Sequence, residues 1–290
     1  AASLSVCFRA LTTSPEDEFI TIAPFFPEYR VFVEANGAKL VVVPPHTSDF
    51  QIDFEALEKA ISAHTKGVII NSPNNPSGAV YSKETIRKLA ALLTKKSEEN
   101  GTPIFILADE PYREIAYDGV EVPYVTKYYA NTLVCYSYSK SLSLPGERIG
   151  YVIVPDEESK TVYAAIAGAG RALGYVCAPS MFQKVIASCV GNTGDIELYR
   201  KNRDLLYDGL TKIGYECFKP QGAFYMFVKA LEPDADAFCE RAKDQDLLIV
   251  SATGFGCPGY ARVSYCVDYD MIERSFSAFE KLYQSYRKEI

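Results

Sequence analysis

Short, almost wholly apolar runs alternate with longer amphipathic stretches in this chain, and the alternation constrains its fold more than any other feature. One helix is predicted from an N-cap at Ser82 to about Glu99, and a second one begins at an N-cap at Asp53. A third, weaker helix is predicted over Tyr29–Ala35. A strand–helix–strand order predicts a mainly parallel sheet covered by helices. The runs that have the character of strands buried on both faces are Phe19–Ile22, Leu40–Val43, Val68–Ile70, Ile104–Leu107, Leu133–Tyr136 and Ile149–Val154.

The pattern changes after about Gly174. Two long helices are predicted over 178–190 and 195–213, and a final helix over 270–286. Strands are predicted between them, near Ala223–Val228, Leu247–Val250 and Arg262–Tyr265. We therefore predict an α/β fold: a three-layer α/β/α large domain with a mainly parallel, mixed sheet over residues 1–190, and a smaller α+β domain over residues 191–290. A chain of 290 residues that is 48% hydrophobic can fill both cores.

Charge and cysteine usage argue against several classes of protein. The net charge is −7 and its acids and bases are interspersed, which does not fit a nucleic-acid-binding surface. No apolar stretch reaches membrane-spanning length. The eight cysteines form no CxxC pair, so we expect reduced thiols in a cytoplasmic protein rather than disulfides or a metal site. His46 and His64 lie in polar segments, and neither is predicted to be a general base or a ligand.

Polar, aromatic or backbone-restricting residues follow four of the predicted strands. In an open α/β sheet, ligands bind at the carboxyl ends of the strands, so these segments are expected to converge on one crevice. They are Ala23-Pro24-Phe25-Phe26-Pro27-Glu28-Tyr29, Asn71-Ser72-Pro73-Asn74-Asn75-Pro76-Ser77-Gly78, Ala108-Asp109-Glu110-Pro111-Tyr112 and Ser137-Tyr138-Ser139-Lys140.

Lys140 carries the chemical prediction. A lysine that loses its proton forms an imine with an aldehyde, and the neighbouring hydroxyls together with Arg148 suit a phosphate ester. An aldehyde that also carries a phosphate is pyridoxal 5'-phosphate (PLP). Asp109 is the candidate carboxylate for the pyridine nitrogen of PLP, and Ser137 is a candidate phosphate ligand beside Arg148. The candidates for the ring oxygen are Tyr112 and Asn75, and the candidate for stacking on the ring is Phe26.

Each motif taken alone has a simpler interpretation. Ser-x-Ser-Lys fits a surface loop with a solvated lysine, and Asn-Pro-Ser-Gly fits a turn. Asp-Glu-Pro-Tyr fits a helix N-terminus with proline at its first position, and Phe25-Phe26 fits core packing. Their joint occurrence in this order favours the cofactor site.

The same order resembles the class I/II aminotransferases, which are fold-type-I PLP enzymes. The resemblance covers essentially the whole chain. It depends on Asn-Asn-Pro-Ser-Gly at 74–78, Asp-Glu-Pro-Tyr at 109–112, Ser-Tyr-Ser-Lys at 137–140 with Arg148, and Gly-Ala-Phe-Tyr at 222–225 followed by Tyr-Ala-Arg-Val-Ser at 260–264.

The resemblance implies a role for each matching residue. Lys140 would form the internal aldimine and then act as the base at the substrate α-carbon, while Asp109 pairs with the pyridine nitrogen. Asn75 and Tyr112 would bind the ring hydroxyl. The remaining implied roles are phosphate binding by Ser137, Arg148 and Ser139, ring stacking by Phe26, and binding of the substrate α-carboxylate by Arg262 together with Asn75.

Two departures from the family pattern affect the prediction. Family members carry a substantial segment before the point that matches Ala1, so the chain is expected to lack an N-terminal segment, and Ala1 and Ala2 would be the end of a phosphate-binding loop. Relatives also usually carry proline where Ser251 stands, which predicts a looser loop there.

Three functions remain open at this point. The main prediction is transfer of an amino group between an L-amino acid and a 2-oxo acid by a cytoplasmic homodimer, as the resemblance implies. A carbon–sulfur β-lyase of the same fold would share the cofactor residues. A regulatory or non-catalytic aminotransferase-like domain is the third alternative, although no helix-turn-helix is visible.

Overall fold

The computed structural model describes residues 1–154 and 159–287. Its larger sheet is built from β1 (Glu18–Ile22), β2 (Lys39–Val43), β3 (Thr65–Asn71), β4 (Phe105–Asp109), β5 (Thr132–Ser137) and β6 (Gly150–Ile153). Across the described residues, the strand order is β2-β1-β3-β4-β5-β6. Neighbouring strands from β2 to β5 are parallel, whereas β6 is antiparallel to β5. This confirms the predicted mixed, mainly parallel sheet.

Helices cover both faces of this sheet. One face packs against α1 (Ala2–Leu11), α2 (Glu28–Ala35) and α6 (Ser159–Ala172), and the other against α3 (Phe54–Ala60) and α4 (Lys83–Asn100). The single turn α5 (Tyr138–Ser141) follows β5, and α7 (Ser180–Cys189) follows α6 in the chain. Both predicted N-caps are present: the Asp53 carboxylate accepts a hydrogen bond from the backbone N–H of Ala56, and the Ser82 hydroxyl accepts one from that of Thr85.

Alternate strand residues supply the two layers of the core. Phe19, Ile69 and Leu107 point to the layer that holds α1, α2 and α6. Their chain neighbours point to the opposite layer, which holds α3 and α4. Because successive side chains of a strand face opposite sides, an almost continuous apolar run is what a sheet covered on both faces requires. The three-layer α/β/α arrangement is therefore confirmed.

A second, smaller sheet follows in the chain. It comprises β7 (Tyr225–Lys229), β8 (Val250–Ser251) and β9 (Tyr260–Ser264), with antiparallel order β7-β9-β8. It packs with α8 (Ile196–Ile213), α9 (Ala235–Lys243) and α10 (Tyr269–Arg287) around buried residues such as Leu210, Met226, Phe238 and Phe279. The boundary between residues 190 and 191 remains a prediction.

Some elements differ from the predicted ones. The sequence pattern did not identify α6, whose second half is interrupted by Gly168 and Gly170, or α9, although Asp234 caps α9 through the backbone N–H groups of Asp236 and Ala237. The strand expected over Leu247–Val250 is shorter and lies later, as β8. No helix in the described parts of the chain is both long and apolar enough to cross a membrane.

The segment that leads into β7 crosses the loop after β3 at close range. The backbone N–H groups of Gln221 and Gly222 both donate to the carbonyl of Gly78, over 2.9 and 3.0 Å. A Cβ atom at Gly222 would lie 2.6 Å from the carbonyl oxygen of Ile115 and 2.7 Å from the ring of Pro73. This close approach fixes the small sheet against the carboxyl edge of the large one.

Candidate active site

Four adjacent strands of the large sheet bring the predicted residues to one edge. The strands β1, β3, β4 and β5 are neighbours and parallel, so the segments that follow them leave from the same edge. The strand register places Asn71 beside Asp109, and Asp109 beside Cys135. The predicted convergence of strand ends is therefore present.

Asp109 is held by a tyrosine that had no predicted role. The hydroxyl of Tyr29, at the start of α2, donates a 2.6 Å hydrogen bond to Oδ2 of Asp109. Burial raises the pKa of the Asp109 carboxyl to about 6, although this hydrogen bond acts to lower it. Burial and then the Asp109 charge raise the pKa of Tyr29, which keeps its hydroxyl protonated as a donor.

The loop after β3 positions Asn75. The side-chain amide of Asn71 donates to the backbone carbonyl of Asp109 over 2.8 Å, and its oxygen accepts from the backbone N–H of Asn75 over 2.7 Å. Asn75 is buried, and its own side-chain oxygen accepts a 2.9 Å hydrogen bond from Nη1 of Arg262. Asn75 thus links the large sheet to the small one.

Tyr112 lies in the turn after β4 and meets a second tyrosine. Its hydroxyl oxygen is 3.3 Å from that of Tyr225 on β7, and either hydroxyl can be the donor. Burial is the main factor that raises the pKa of both phenols, so both stay protonated. The ring of Phe224 packs edge-on against the ring of Tyr112, with centroids 5.4 Å apart.

Arg262, on β9, has its guanidinium between two aromatic rings. Its Cζ atom lies 4.5 Å from the centroid of Tyr225 and 4.9 Å from that of Phe255. Among the described residues, the buried Nε atom of Arg262 has no hydrogen-bond partner. A buried donor without a partner costs free energy unless something else accepts its hydrogen bond, so this guanidinium is suited to receive an anion.

Lys140 lies in the single helical turn after β5. The side chain is half-buried, and its Nζ atom is 5.6 Å from the centroid of the Phe224 ring. Ser137 caps the turn, because its Oγ accepts from the backbone N–H of Ser139 and donates to Oγ of Ser139 over 2.9 Å. The end of β5, the hydroxyls of Ser137 and Ser139, and Lys140 therefore lie together in one short segment.

Arg148 is near this segment, but among the described residues its side chain makes no hydrogen bond to the segment. The backbone N–H of Tyr138 donates to the carbonyl of Ile149, which brings the Arg148 region beside the start of the Lys140 turn. The Arg148 side chain is exposed, and its Nη1 donates to the carbonyl of Pro145. Its backbone has φ +52, a left-handed conformation that non-glycine residues seldom adopt. Its phosphate-binding role stays a prediction.

The last two predicted residues also lie at this edge. Phe25 is buried in the core, whereas Phe26 is half-buried and packs edge-on against Tyr29, with ring centroids 5.7 Å apart. The exposed residue Ala1, before α1, lies within electrostatic range of the Asp109 carboxyl. Phe26 and Ala1 therefore both lie near Asp109, and their cofactor-binding roles stay predictions.

Sequence reasoning gave no role to three residues that contribute to this geometry: Tyr29, Tyr225 and Phe255. Tyr29 ends the segment after β1, and Tyr225 ends the Gly-Ala-Phe-Tyr signature, so both stood inside motifs that had been recognised. Phe255 carried no signal, because its contact with Arg262 depends on how the segment between β8 and β9 folds back onto β9.

The residues fit PLP on two structural grounds. The half-buried Asp109 carboxylate, whose pKa is raised, has no cationic side chain bonded to it among the described residues, and a protonated pyridine nitrogen would supply the cation. A buried guanidinium nitrogen without a partner at the same site matches the carboxylate of an amino-acid substrate. The described residues hold no group of three or more His, Cys, Asp or Glu placed to bind a metal ion.

Comparison with known proteins gives the class of this site. The profile of the family described as aminotransferase class I and II matches residues 1–279. The probable N-acetyl-LL-diaminopimelate aminotransferase of Bacillus subtilis is 30% identical over 288 residues, which cover 96% of this chain and 70% of that protein. The aspartate/prephenate aminotransferase of Thermus thermophilus is 28% identical, over 95% of this chain and 71% of that protein.

Solved structures agree with this result. An amino transferase from Eubacterium rectale superimposes with a TM-score of 0.97 at 72% identity, over 98% of this chain and 72% of that chain. The aspartate aminotransferase of Thermotoga maritima gives a TM-score of 0.87 at 27% identity, over 98% of this chain and 74% of that chain. The family match and these structural similarities show that the protein is a transaminase with an α/β fold. The chain belongs to the class I and II aminotransferases, a family of PLP-dependent enzymes.

Proposed function

We propose that this chain binds PLP at the carboxyl edge of its large sheet and transfers an amino group between an L-amino acid and a 2-oxo acid. The observation that carries the proposal is the joint placement of Asp109, Tyr112, Asn75 and Lys140 after adjacent parallel strands, with Arg262 reaching Asn75 from the small sheet. Bound PLP supplies a reactive aldehyde and a ring that accepts electrons from the substrate α-carbon.

Different residues of the chain carry out proton transfer, cofactor binding and substrate binding. Lys140 would hold PLP at its aldehyde carbon, and its free amine would move the proton at the substrate α-carbon. Asp109, ionised and held by Tyr29, keeps the pyridine nitrogen protonated. Arg262 holds the substrate α-carboxylate through its planar guanidinium, which the rings of Tyr225 and Phe255 orient.

The other cofactor contacts follow the sequence prediction. Tyr112 and Asn75 bind the ring oxygen, and Phe26 stacks on the ring. Ser137, Ser139, Arg148 and the backbone at Ala1 bind the phosphate, which requires the exposed Arg148 side chain to leave the carbonyl of Pro145. A single hydrogen bond to a carbonyl is weaker than a charge-assisted pair with phosphate, so this exchange is favourable.

The decisive experiment is the visible absorption of the purified protein with PLP, for the wild type and for Lys140→Ala. Lys59→Ala removes an exposed lysine of α3 and is the matched control. We expect a band that requires Lys140, that an amino acid bleaches as a 2-oxo acid accumulates, and that Lys59→Ala leaves unchanged. A protein with no band, or a band that persists in Lys140→Ala, contradicts the proposal.

The same experiment separates the alternatives. A carbon–sulfur β-lyase releases pyruvate and ammonia from a sulfur amino acid and needs no second 2-oxo acid. A regulatory domain binds PLP or an amino acid without turnover. Transamination is favoured because the relatives at 28–30% identity are named aminotransferases.

We also propose that the chain works as a homodimer. Side chains along α6 and α7 and the turn between them expose much apolar surface: Val176 is 72% and Met181 63% exposed. Exposed apolar side chains grouped in one stretch of the chain are typical of an interface, and a second copy would cover them in a symmetric dimer. Sedimentation of the wild type and of Val176→Asp tests the proposal, since a dimer that uses this face dissociates in the variant. A monomeric wild type would contradict it.

A cytoplasmic location is the remaining part of the proposal. It is supported by the eight cysteines, which are all free thiols in the structure.

A further inference from the structure

We propose that Tyr225 is a positioning residue that couples the cofactor side of the site, through Tyr112, to the substrate-carboxylate side, through Arg262. The inference rests on the proposed function and adds a residue to it. Tyr225 lies on β7, between the two groups: its hydroxyl is 3.3 Å from that of Tyr112, and its ring lies under the guanidinium of Arg262, with Cζ 4.5 Å from the centroid.

The hydroxyl of Tyr225 sets the direction in which Tyr112 donates. A phenol has one hydrogen to donate and lone pairs to accept, so Tyr112 donates to the cofactor oxygen only if it accepts from its protein neighbour. Tyr225 is that neighbour, and it stays protonated, because burial raises its pKa. Donation from Tyr225 therefore frees the Tyr112 hydrogen for the cofactor and strengthens the donor through the chain of hydrogen bonds.

The ring of Tyr225 acts on Arg262 by a separate route. Arg262 is fixed at one end by Nη1, which donates to Asn75, and its guanidinium plane is held between Tyr225 and Phe255. The Nε atom is left without a protein partner among the described residues. A guanidinium that is held in place before the substrate arrives loses less conformational freedom when it binds a carboxylate.

Because the hydroxyl and the ring of Tyr225 act on different partners, two substitutions can separate their effects. Tyr225→Phe keeps the ring and removes the hydroxyl, whereas Tyr225→Leu removes both. Tyr215→Phe is the matched control: Tyr215 is buried in the small-domain core, and its hydroxyl donates to the carbonyl of Phe279 at 2.9 Å. The PLP-loaded holoenzymes are titrated with pH by visible absorption, and KM and kcat are measured separately.

For Tyr225→Phe we expect the apparent pKa of the cofactor absorption band to rise by about 0.5–1 unit, because a weaker donor stabilises the ionised ring oxygen less. The KM for the amino acid stays within about twofold, since the ring remains. For Tyr225→Leu we expect the same spectral shift and, in addition, a KM about tenfold higher. Tyr215→Phe shifts neither quantity, even if it lowers the melting temperature.

The outcomes distinguish this inference from the proposed function. If the wild-type protein shows no PLP band, both the proposed function and this inference are wrong. If the wild-type band titrates and the apparent pKa of the Tyr225→Phe band lies within about 0.2 unit of the wild-type value, this inference is wrong but the proposed function stands. A shift of the same size in Tyr215→Phe also overturns it, because the effect would then follow from loss of any buried hydroxyl.

Discussion

The hydroxyl of Tyr29 and the carboxylate of Asp109 form a 2.6 Å hydrogen bond across 80 positions of sequence. Tyr29 lies in the first turn of the helix after β1, and Asp109 ends β4, two strands away in the sheet. The bond fixes the orientation of a carboxylate that burial would otherwise favour in its protonated form. It also favours the ionised form of Asp109, which would pair with a protonated pyridine nitrogen of PLP.

Tyr29→Phe is expected to weaken PLP binding about tenfold near neutral pH, because a hydrogen bond to a charged group is lost and the Asp109 pKa rises further. The loss should be smaller at about pH 9, where the carboxylate is ionised with or without Tyr29. The measurement is the PLP dissociation constant against pH. Tyr81→Phe, which changes a buried tyrosine in the opposite helix layer, is the control. Equal affinities for wild type and Tyr29→Phe at every pH would contradict this role.

Asp109→Asn is expected to stabilise the cofactor-free protein at alkaline pH while it weakens PLP binding. The folded carboxyl has a pKa of about 6 against an ordinary value of 3.8, so the folded state holds its proton longer than the unfolded state. Stability therefore falls as pH rises from about 4 to about 6, by on the order of 3 kcal/mol. Asparagine can still accept from Tyr29 and carries no charge to desolvate. Above about pH 7 the variant should melt several degrees higher than the wild type.

Asp49→Asn provides a control of opposite sign. Burial acts to raise the pKa of Asp49, but hydrogen bonds from the backbone N–H of Gln51 and from the His46 ring lower it on balance. The Asp49 carboxylate therefore stabilises the fold once it ionises, and its replacement should cost stability above about pH 4. The test is the melting temperature of each variant minus that of the wild type, at about pH 4 and about pH 8. A difference for Asp109→Asn that does not grow with pH would exclude the proposed cost of burying this charge.

Gly222→Ala is expected to destabilise the protein by about 1–3 kcal/mol and to lower activity more than stability alone explains. The added methyl group would lie 2.6 Å from the Ile115 carbonyl and 2.7 Å from the Pro73 ring, so β7 must move away from the loop that carries Asn75. Gly254→Ala, where nothing lies within 4 Å of the added methyl group, is the control. The measurements are urea unfolding and kcat/KM. A Gly222→Ala protein as stable as the control would refute the close packing.

The sequence predicted the large sheet well, because its strands are buried on both faces and their apolar runs stand out from the amphipathic helices. It also predicted that Asn75, Asp109, Tyr112 and Lys140 follow strands that end at one edge. It could not predict pairings that arise from packing, such as Tyr225 with Tyr112 and Arg262 with Phe255, because these residues belong to separate elements. Helix α6 was missed since Gly168 and Gly170 weaken its pattern, and β8 since a two-residue strand has no periodicity.

Arg262→Lys is expected to raise the KM for the amino-acid substrate at least about tenfold while it leaves the PLP absorption band unchanged. Lysine keeps the charge but lacks the planar fork that binds a carboxylate through two nitrogens, and its ammonium cannot both reach Asn75 and remain stacked between Tyr225 and Phe255. The band is spared because Arg262 binds substrate rather than cofactor in the proposed site. Arg200→Lys, on the surface of α8 beside Glu197 and Asp204, is the matched control and should change neither quantity. If Arg262→Lys kept the wild-type KM, the substrate carboxylate would have to bind elsewhere, and the unpartnered Nε would need another explanation.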